Sequence, residues 1–508
     1  MIMATKKLEL LAYLKFILKF AFNKYKGLYV LSVANILSVF VEFLAIAILS
    51  GISQPALEGR ISFLQGFQNN ELFIIFICLF LIRCISLFFL ESWIIYYAKE
   101  LQVELSSTAF SKVMHENIKE IEKVEIGHYL TLTGDEASNA SQLLISMTGI
   151  LNGLLLISVY LISVMVFSNE VFLGVMALLL LIMFCAKAVY KRLFSLGKQQ
   201  VVLRRKTSSM FVDAFNGLRV LKSFSLEAYA AKNYKEEVGR YFSVNSRLTI
   251  VNYLNKYIPI VLLFVFFLAY LFYFYFNEQS VDTAYLITLL FILMRLLQSL
   301  GVFSGVLGKI VGELKGVHNI VSFIKDFSIN EKRKVIQDNV NEIKIDNLSF
   351  SYGDNKVFEK MNFSFSLGGS YAIYGESGVG KSTLLDLIMD FVSPQDGQVL
   401  INNINVKEIE ESSLTKRIMY VGQESLIFNK TIRENIELDD EFNNDELMNA
   451  LKLVKLDRMV EQLDDGIDQI LFYKGTNISG GQRQRINLAR ALIRKPDVLI
   501  LDEATSAL

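Results

Sequence analysis

Gly375-Glu376-Ser377-Gly378-Val379-Gly380-Lys381-Ser382 is the stretch that decides how the last third of this chain folds. It fits the pattern G-x-x-x-x-G-K-[ST], with a β-rich run, Tyr371–Tyr374, ahead of it and an apolar helical run, Thr383–Met389, behind it. Glycines at Gly375, Gly378 and Gly380 let such a loop curl until its backbone N–H groups converge on phosphate oxygens. The N-terminus of the following helix adds positive potential at the same place. Lys381 is then placed to reach the β- and γ-phosphates of a nucleotide, and the Ser382 hydroxyl to ligate Mg²⁺.

Working outward, short β-rich runs recur at Ile343–Tyr352, Gln398–Ile401, Ile418–Val421 and Val498–Leu501, with helical runs between them. That alternation predicts an α/β domain with a largely parallel sheet over residues 343–508. The run Val498–Leu501 leads into Asp502-Glu503, where a strand end would meet its ligand. Asp502 is a candidate to hold Mg²⁺ and Glu503 a candidate general base for an attacking water. The alternative is a strand that ends in a solvated acidic turn. Ser479-Gly480-Gly481-Gln482 opens a basic helix and makes a second anion cradle. One nucleotide does not need two cradles from one chain, so this cradle is expected to serve a nucleotide held by another copy.

Upstream the texture is different. The chain has 508 residues, 53% of them apolar and only 20% charged, and the apolar excess lies before residue 310. A bilayer core needs about 20 apolar residues per helix. Six runs meet that length: 27–50, 72–98, 143–167, 171–190, 250–276 and 283–307. Lys plus Arg number 6, 4 and 13 in residues 1–26, 99–142 and 187–249, against 1, 0 and 0 in 51–71, 168–170 and 277–282. The basic segments are cytoplasmic by that asymmetry, and so are both chain ends. Residues 1–26 interleave lysines with Leu10, Leu14 and Leu18, the pattern of an amphipathic helix on the inner membrane face. A membrane domain over 27–325 and a polar linker over 326–342 complete the expected layout.

Lys plus Arg equals Asp plus Glu at 51 each, so no global charge points to nucleic acid. Cys78, Cys84 and Cys185 lie inside apolar runs, form no metal or disulfide pattern, and are expected to pack in apolar surroundings. Glu42, Arg83, Glu91 and Arg295 fall within the spans. Intramembrane charges mark substrate pathways by default, although a pair that merely steadies the bundle is the simpler reading. Glu42, Arg83 and Arg295 are therefore the candidate substrate-cavity residues, with Arg295 expected to bear on substrate.

The order GESGVGKST, VGQESLIF, ISGGQRQR and LILDEATSAL resembles that of ATP-binding cassette transporters, and the six spans resemble the exporter-type half of that family. The resemblance covers essentially the whole chain. It implies an α-helical six-span membrane domain followed by a P-loop NTPase cassette, with ATP and Mg²⁺ as ligands and a second half-transporter, most simply an identical chain, as partner. It implies that Tyr352 stacks on adenine, that the loop Gly375–Ser382 with Thr383 cradles phosphate, and that Gln423 contacts Mg²⁺ or water. Ser479, Gly480, Gly481 and Gln482 would close over the partner's ATP. Gly127–Asp135 and Asn216–Glu227 resemble the stretches that carry coupling helices. Val39–Ile46 and the tract Leu385–Ile388 faintly resemble flippases for lipid-linked oligosaccharides, so export or flipping of a lipid-linked saccharide or another membrane lipid is the favoured activity. Multidrug or peptide export and a nucleotide-gated channel are the alternatives. The location implied is a bacterial inner membrane.

Two departures stand out. Leu471-Phe472-Tyr473-Lys474-Gly475 replaces the family's V-G-E-x-G and lacks its acidic residue. The sequence ends at Ser506-Ala507-Leu508, ahead of the Asp and the switch histidine that the resemblance implies, so a truncated chain with poor turnover is expected.

Overall fold

The computed structural model describes residues 24–53, 69–116, 118–167, 169–276, 283–325, 334–423 and 425–503. They form two compact units. The first holds the residues up to His115 and Val124–Phe327, and the second Glu116–Lys123 and Ser328–Leu508.

The first unit is helical. Its elements are α1 (Gly27–Ser53), α2 (Asn69–His115), α4 (Ile126–Thr131), α5 (Ala137–Phe167), α6 (Asn169–Asn216), α7 (Leu218–Ser223), α8 (Glu227–Phe276) and α9 (Thr283–Ile324). The short α3 (Ile118–Glu122) belongs to the second unit. Six of these helices, α1, α2, α5, α6, α8 and α9, are long and apolar enough to cross a membrane, as the hydropathy runs predict. Four of the six run well past the roughly 20 residues a bilayer requires, and α6 and α8 reach 48 and 50 residues. Pro259 lies inside α8 without ending it, which neighbouring packing permits in a membrane helix.

α9 packs against α5, α6 and α8. One buried cluster joins Leu101, Leu105, Leu143, Val317 and Ile320, and another joins Tyr160, Leu263, Leu289 and Leu296. In hydrocarbon the gain is close packing rather than escape from water, so side-chain fit decides which helix faces meet. Cys78 and Cys84, expected in apolar surroundings, are exposed on α2. Their apolar surroundings are those of an outward helix face among Phe73, Ile77, Leu81 and Phe88. Gly127–Asp135 overlaps the short helix α4. It is packed inside this unit, with Thr131 and Leu132 buried and Ser209 against Gly127, and it continues as a π-helical turn over Leu132–Glu136. The stretch Asn216–Glu227 carries a short helix too, α7, in the turn between α6 and α8. Residues 1–23, with most of the expected amphipathic segment, lie outside the described residues.

The second unit contains β1 (Glu342–Tyr352), β2 (Asn355–Ser366), α10 (Lys381–Ile388), β3 (Asp396–Ile401), β4 (Ile404–Asn405), α11 (Glu411–Arg417), β5 (Ile418–Val421), α12 (Ile432–Glu437), α13 (Asn444–Leu453), α14 (Asp457–Glu461), α15 (Gly480–Ile493) and β6 (Val498–Leu501). A four-stranded sheet has the order β2-β1-β3-β4, antiparallel throughout, and a second sheet pairs β5 with β6 in parallel. The expectation of a largely parallel sheet is therefore corrected among the described residues. On β1, Ile343 and Ile345 are buried, and α10 covers the core they enter through Leu384 and Leu387. Tyr371–Tyr374, expected as a strand, has no ladder partner. Residues 371–373 and β6 line one cleft of about 560 Å³. Ile336 and Val340 are buried in the cassette core, so the polar stretch read as linker belongs to this unit from Lys334 onward. Helices α12, α13 and α15 share a separate core built on Ile432, Ile436, Leu447, Leu451, Ile486 and Ala489.

Candidate nucleotide-binding site

The loop Gly375–Gly380 owes its shape to two residues that only glycine fills easily. Gly378 has φ +85° and Gly380 φ +105°, in the left-handed region. A Cβ on Gly380 would also lie 2.4 Å from Val357 Cγ1. α10 starts at Lys381 directly after Gly380, so its first N–H groups open onto the loop. Lys381 Nζ donates to the carbonyls of Gly375 (2.8 Å) and Glu376 (2.9 Å), a folded-back position that holds the ammonium over the loop. Tyr352 OH lies 3.2 Å from Thr383 Oγ1, and its ring meets Phe350 edge-on, which fixes the tyrosine beside the first turn of α10.

β5 and β6 deliver the second group of side chains. Their parallel register sets Val421 opposite Leu501, and Asp502 N donates to Val421 O (3.0 Å). Gln423 and Asp502-Glu503 therefore emerge from neighbouring strand ends. Gln423 Nε2 donates to Glu503 Oε2 (2.9 Å), and Tyr420 OH to Asp502 Oδ2 (3.1 Å). Burial pushes the Tyr420 hydroxyl up to about 12, reinforced by the Asp502 charge and by the hydrogen bond to it. Tyr420 thus stays a neutral donor, and Asp502 keeps an acceptor oxygen for another ligand. Glu503 has φ +51°, an uncommon conformation for a side-chain-bearing residue. Such conformations gather at functional sites. Lys381 and Glu503 both line the cleft beside β6.

Ser479 caps α15. Its Oγ accepts from Gln482 N (3.2 Å), and Gln482 Oε1 accepts from Ser479 N (2.7 Å). This reciprocal cap uses only acceptors of the two side chains, and leaves the Ser479 O–H, the Gln482 NH₂ and the N–H groups of Gly480 and Gly481 for an anion. None of Ser479–Gln482 lines the cleft that holds Lys381 and Glu503.

One feature of this region has no counterpart among the sequence-derived candidates. Asn435, 0% exposed, and Arg490, 9% exposed, bind the loop after Gln423 to α15. Arg490 donates to Leu426 O (2.6 Å), Asn435 Oδ1 (2.8 Å) and Asn435 O. Asn435 donates to the carbonyls of Phe428, Lys430 and Thr431 and accepts from Phe428 N. The signal was present in sequence: Arg490 stands on the face of α15 that also carries Ile486 and Ile493.

In the membrane unit Arg83 is 3% and Glu42 8% exposed. Arg83 Nε donates to Glu42 Oε2 (3.0 Å), Tyr160 OH to Glu42 Oε1, and Ser38 Oγ accepts from Arg83. Arg295 stands apart from that pair. It donates to Gln298 Oε1 (3.4 Å) and sits over the rings of Phe80 and Phe291 at 5.2 and 5.7 Å.

The donors fit a nucleotide: a loop of N–H groups, a helix start and a lysine suit polyphosphate, and the exposed Tyr352 ring can offer a stacking face. Ser382, Gln423 and Asp502 would offer a sparse oxygen set. That suits Mg²⁺, which keeps waters and takes its other ligands from substrate phosphates.

Comparison with known proteins gives a consistent result. The family model described as the ABC transporter transmembrane region matches residues 28–300, and the ABC transporter model matches residues 358–506. The chain is 30% identical over 317 residues to the heterocyst differentiation ATP-binding protein HepA of Nostoc, a match covering 59% of this chain and 50% of that one. The chain thus spans about half the length of that relative. It is 41% identical over 167 residues to the ATP-dependent lipid A-core flippase of Desulfotalea psychrophila, covering 33% of this chain and 29% of the other. The solved structure of a bacterial Atm1-family ABC exporter with ATP bound has the same fold: TM-score 0.79 and 19% identity, over 95% of this chain and 86% of that one.

Proposed function

The chain belongs to the ABC transporter family, and from that premise we propose that it is an ATP-driven exporter or flippase of an amphipathic, lipid-like substrate. One observation carries the ATPase part: Lys381 over the phosphate loop and Glu503, hydrogen-bonded to Gln423, line one cleft. Gly375, Ser377, Gly378, Gly380, Lys381, Ser382 and Thr383 hold the phosphates, and Tyr352 stacks on the base. Ser382, Asp502 and Gln423 would hold Mg²⁺, which would supply neutralisation of phosphate charge. Glu503 takes the proton of the attacking water, and Gln423 orients the carboxylate for it.

The working unit is a homodimer. Ser479, Gly480, Gly481 and Gln482 close over the nucleotide of the other copy, because one nucleotide does not need two anion cradles from one chain. Closure of the cassettes on ATP moves the membrane helices and alternates access. The location is an inner membrane, with the cassette on the cytoplasmic side.

The lean to a lipid rests on Arg295. It has no carboxylate within ion-pairing reach among the described residues, whereas Arg83 is already paired. A guanidinium between two aromatic rings can bind a phosphate or carboxylate headgroup bidentately while the rings meet acyl chains. The similarity to a lipid A-core flippase supports the same class. The test is ATPase stimulation in proteoliposomes across lipid-linked sugars, phospholipids, peptides and cationic drugs. Stimulation by anionic lipids, lost in Arg295→Leu with basal turnover kept, is expected. Stimulation by drugs or peptides alone would refute the lipid assignment.

A further inference from the structure

Along α6, one exposed stripe changes chemistry. Leu180, Phe184, Lys187, Lys191, Phe194 and Lys198 fall within an arc of about 80° at the helical repeat of roughly 100° per residue. All six are exposed, and Phe184 is 81% exposed, while Leu193 and Leu196 on the opposite side are buried. The stripe is apolar as far as Phe184 and cationic from Lys187 on.

Farther along the same helix, the cations are matched inside the protein. Arg204 pairs with Asp135, Arg205 with Glu136 (2.8 Å) and Lys206 with Glu237 (2.8 Å). Among the described residues, Lys187, Lys191 and Lys198 have no carboxylate within ion-pairing reach. They are free to meet an anion from outside the chain, at the level where the apolar part of the stripe ends.

We propose that Lys187 and Lys191 bind the headgroup of an anionic phospholipid of the cytoplasmic leaflet, with its acyl chains along Phe184 and Leu180. The two lysines are one helical turn apart, about 6 Å, which matches the depth of a headgroup layer. Phe194 sits at the rim of that layer. Lys198 lies about 10 Å beyond Lys191, past the Debye length at physiological salt, and contributes little. The site is independent of nucleotide and of the transported substrate.

The test is native mass spectrometry of the full chain in detergent with equimolar phosphatidylglycerol and phosphatidylcholine of matched acyl chains. Each lysine near a charged surface is worth about fivefold in lipid preference. The parent should favour phosphatidylglycerol, and K187Q/K191Q should lower that preference about 25-fold. K198Q and the distant pair K232Q/K235Q should leave it within twofold. Thermal unfolding in phosphatidylcholine nanodiscs confirms that each variant is folded. An unselective parent, or a folded K187Q/K191Q variant that keeps the preference, overturns the proposal. So does a change in dimer fraction with lipid preference unmoved, since a second copy would then cover the stripe.

Discussion

Asn435→Ala should loosen the loop after Gln423 before it affects anything else in the cassette. The substitution removes an acceptor from Phe428 N (2.9 Å) and from the Arg490 guanidinium (2.8 Å), and a donor from the carbonyls of Phe428, Lys430 and Thr431. A buried group left unsatisfied costs about 1–3 kcal/mol, more when it is charged. The carbonyl of Thr431 retains Asn435 N and that of Lys430 retains Leu471 N, so the loss falls on Phe428 and Arg490. Two orphaned groups, partly relieved by water, amount to about 3 kcal/mol. At 1.4 kcal/mol per factor of ten, amide protection in 426–431 should fall about a hundredfold. Hydrogen exchange with peptide-level mass spectrometry reads this on the full chain in nanodiscs. Peptides over β1 and β3 serve as internal controls and should be unchanged. A loss under threefold in 426–431, or an equal loss over the whole cassette, would refute the reasoning. Arg490→Lys keeps the charge but loses the fork, and should fall between parent and Asn435→Ala.

Glu503→Gln should bind ATP at parental affinity and lose at least a hundredfold in turnover, measured by nucleotide binding and phosphate release on one preparation. Lys381→Ala should instead raise the dissociation constant for ATP about tenfold or more, through loss of a charge-assisted phosphate contact. Glu42→Ala strands a buried guanidinium and should cost about 3–5 kcal/mol, seen as lost expression or a large drop in unfolding temperature. Arg295→Leu, with no acid to orphan, should express and melt like the parent.

The six spans and the phosphate loop were legible because each is a local property, a run of apolar residues or a fixed spacing. β5 and β6 were legible for the same reason, as short apolar runs bounded by turns. Tyr371–Tyr374 was misread because a strand exists only when a neighbour supplies its ladder, and local propensity says nothing of the neighbour. β2 passed unnoticed, since Asn355–Ser366 mixes polar and apolar residues with no clean alternation on its largely exposed faces. The charges of Glu42 and Arg83 were visible, but their pairing needs the register of α1 against α2, which hydropathy does not fix. Arg490 carried a readable signal, a cation within an apolar stripe, yet its partner lies 55 residues away.

The central claim is that the geometry around Glu503 drives movement of a lipid-like substrate. The most direct measurement is ATP-dependent transfer of a fluorescent anionic lipid between leaflets of proteoliposomes, comparing parent, Glu503→Gln and Arg295→Leu. The account predicts transfer by the parent only, with ATP binding intact in all three. Equal transfer by parent and Glu503→Gln in the presence of ATP, or none by a parent that hydrolyses ATP, would contradict it.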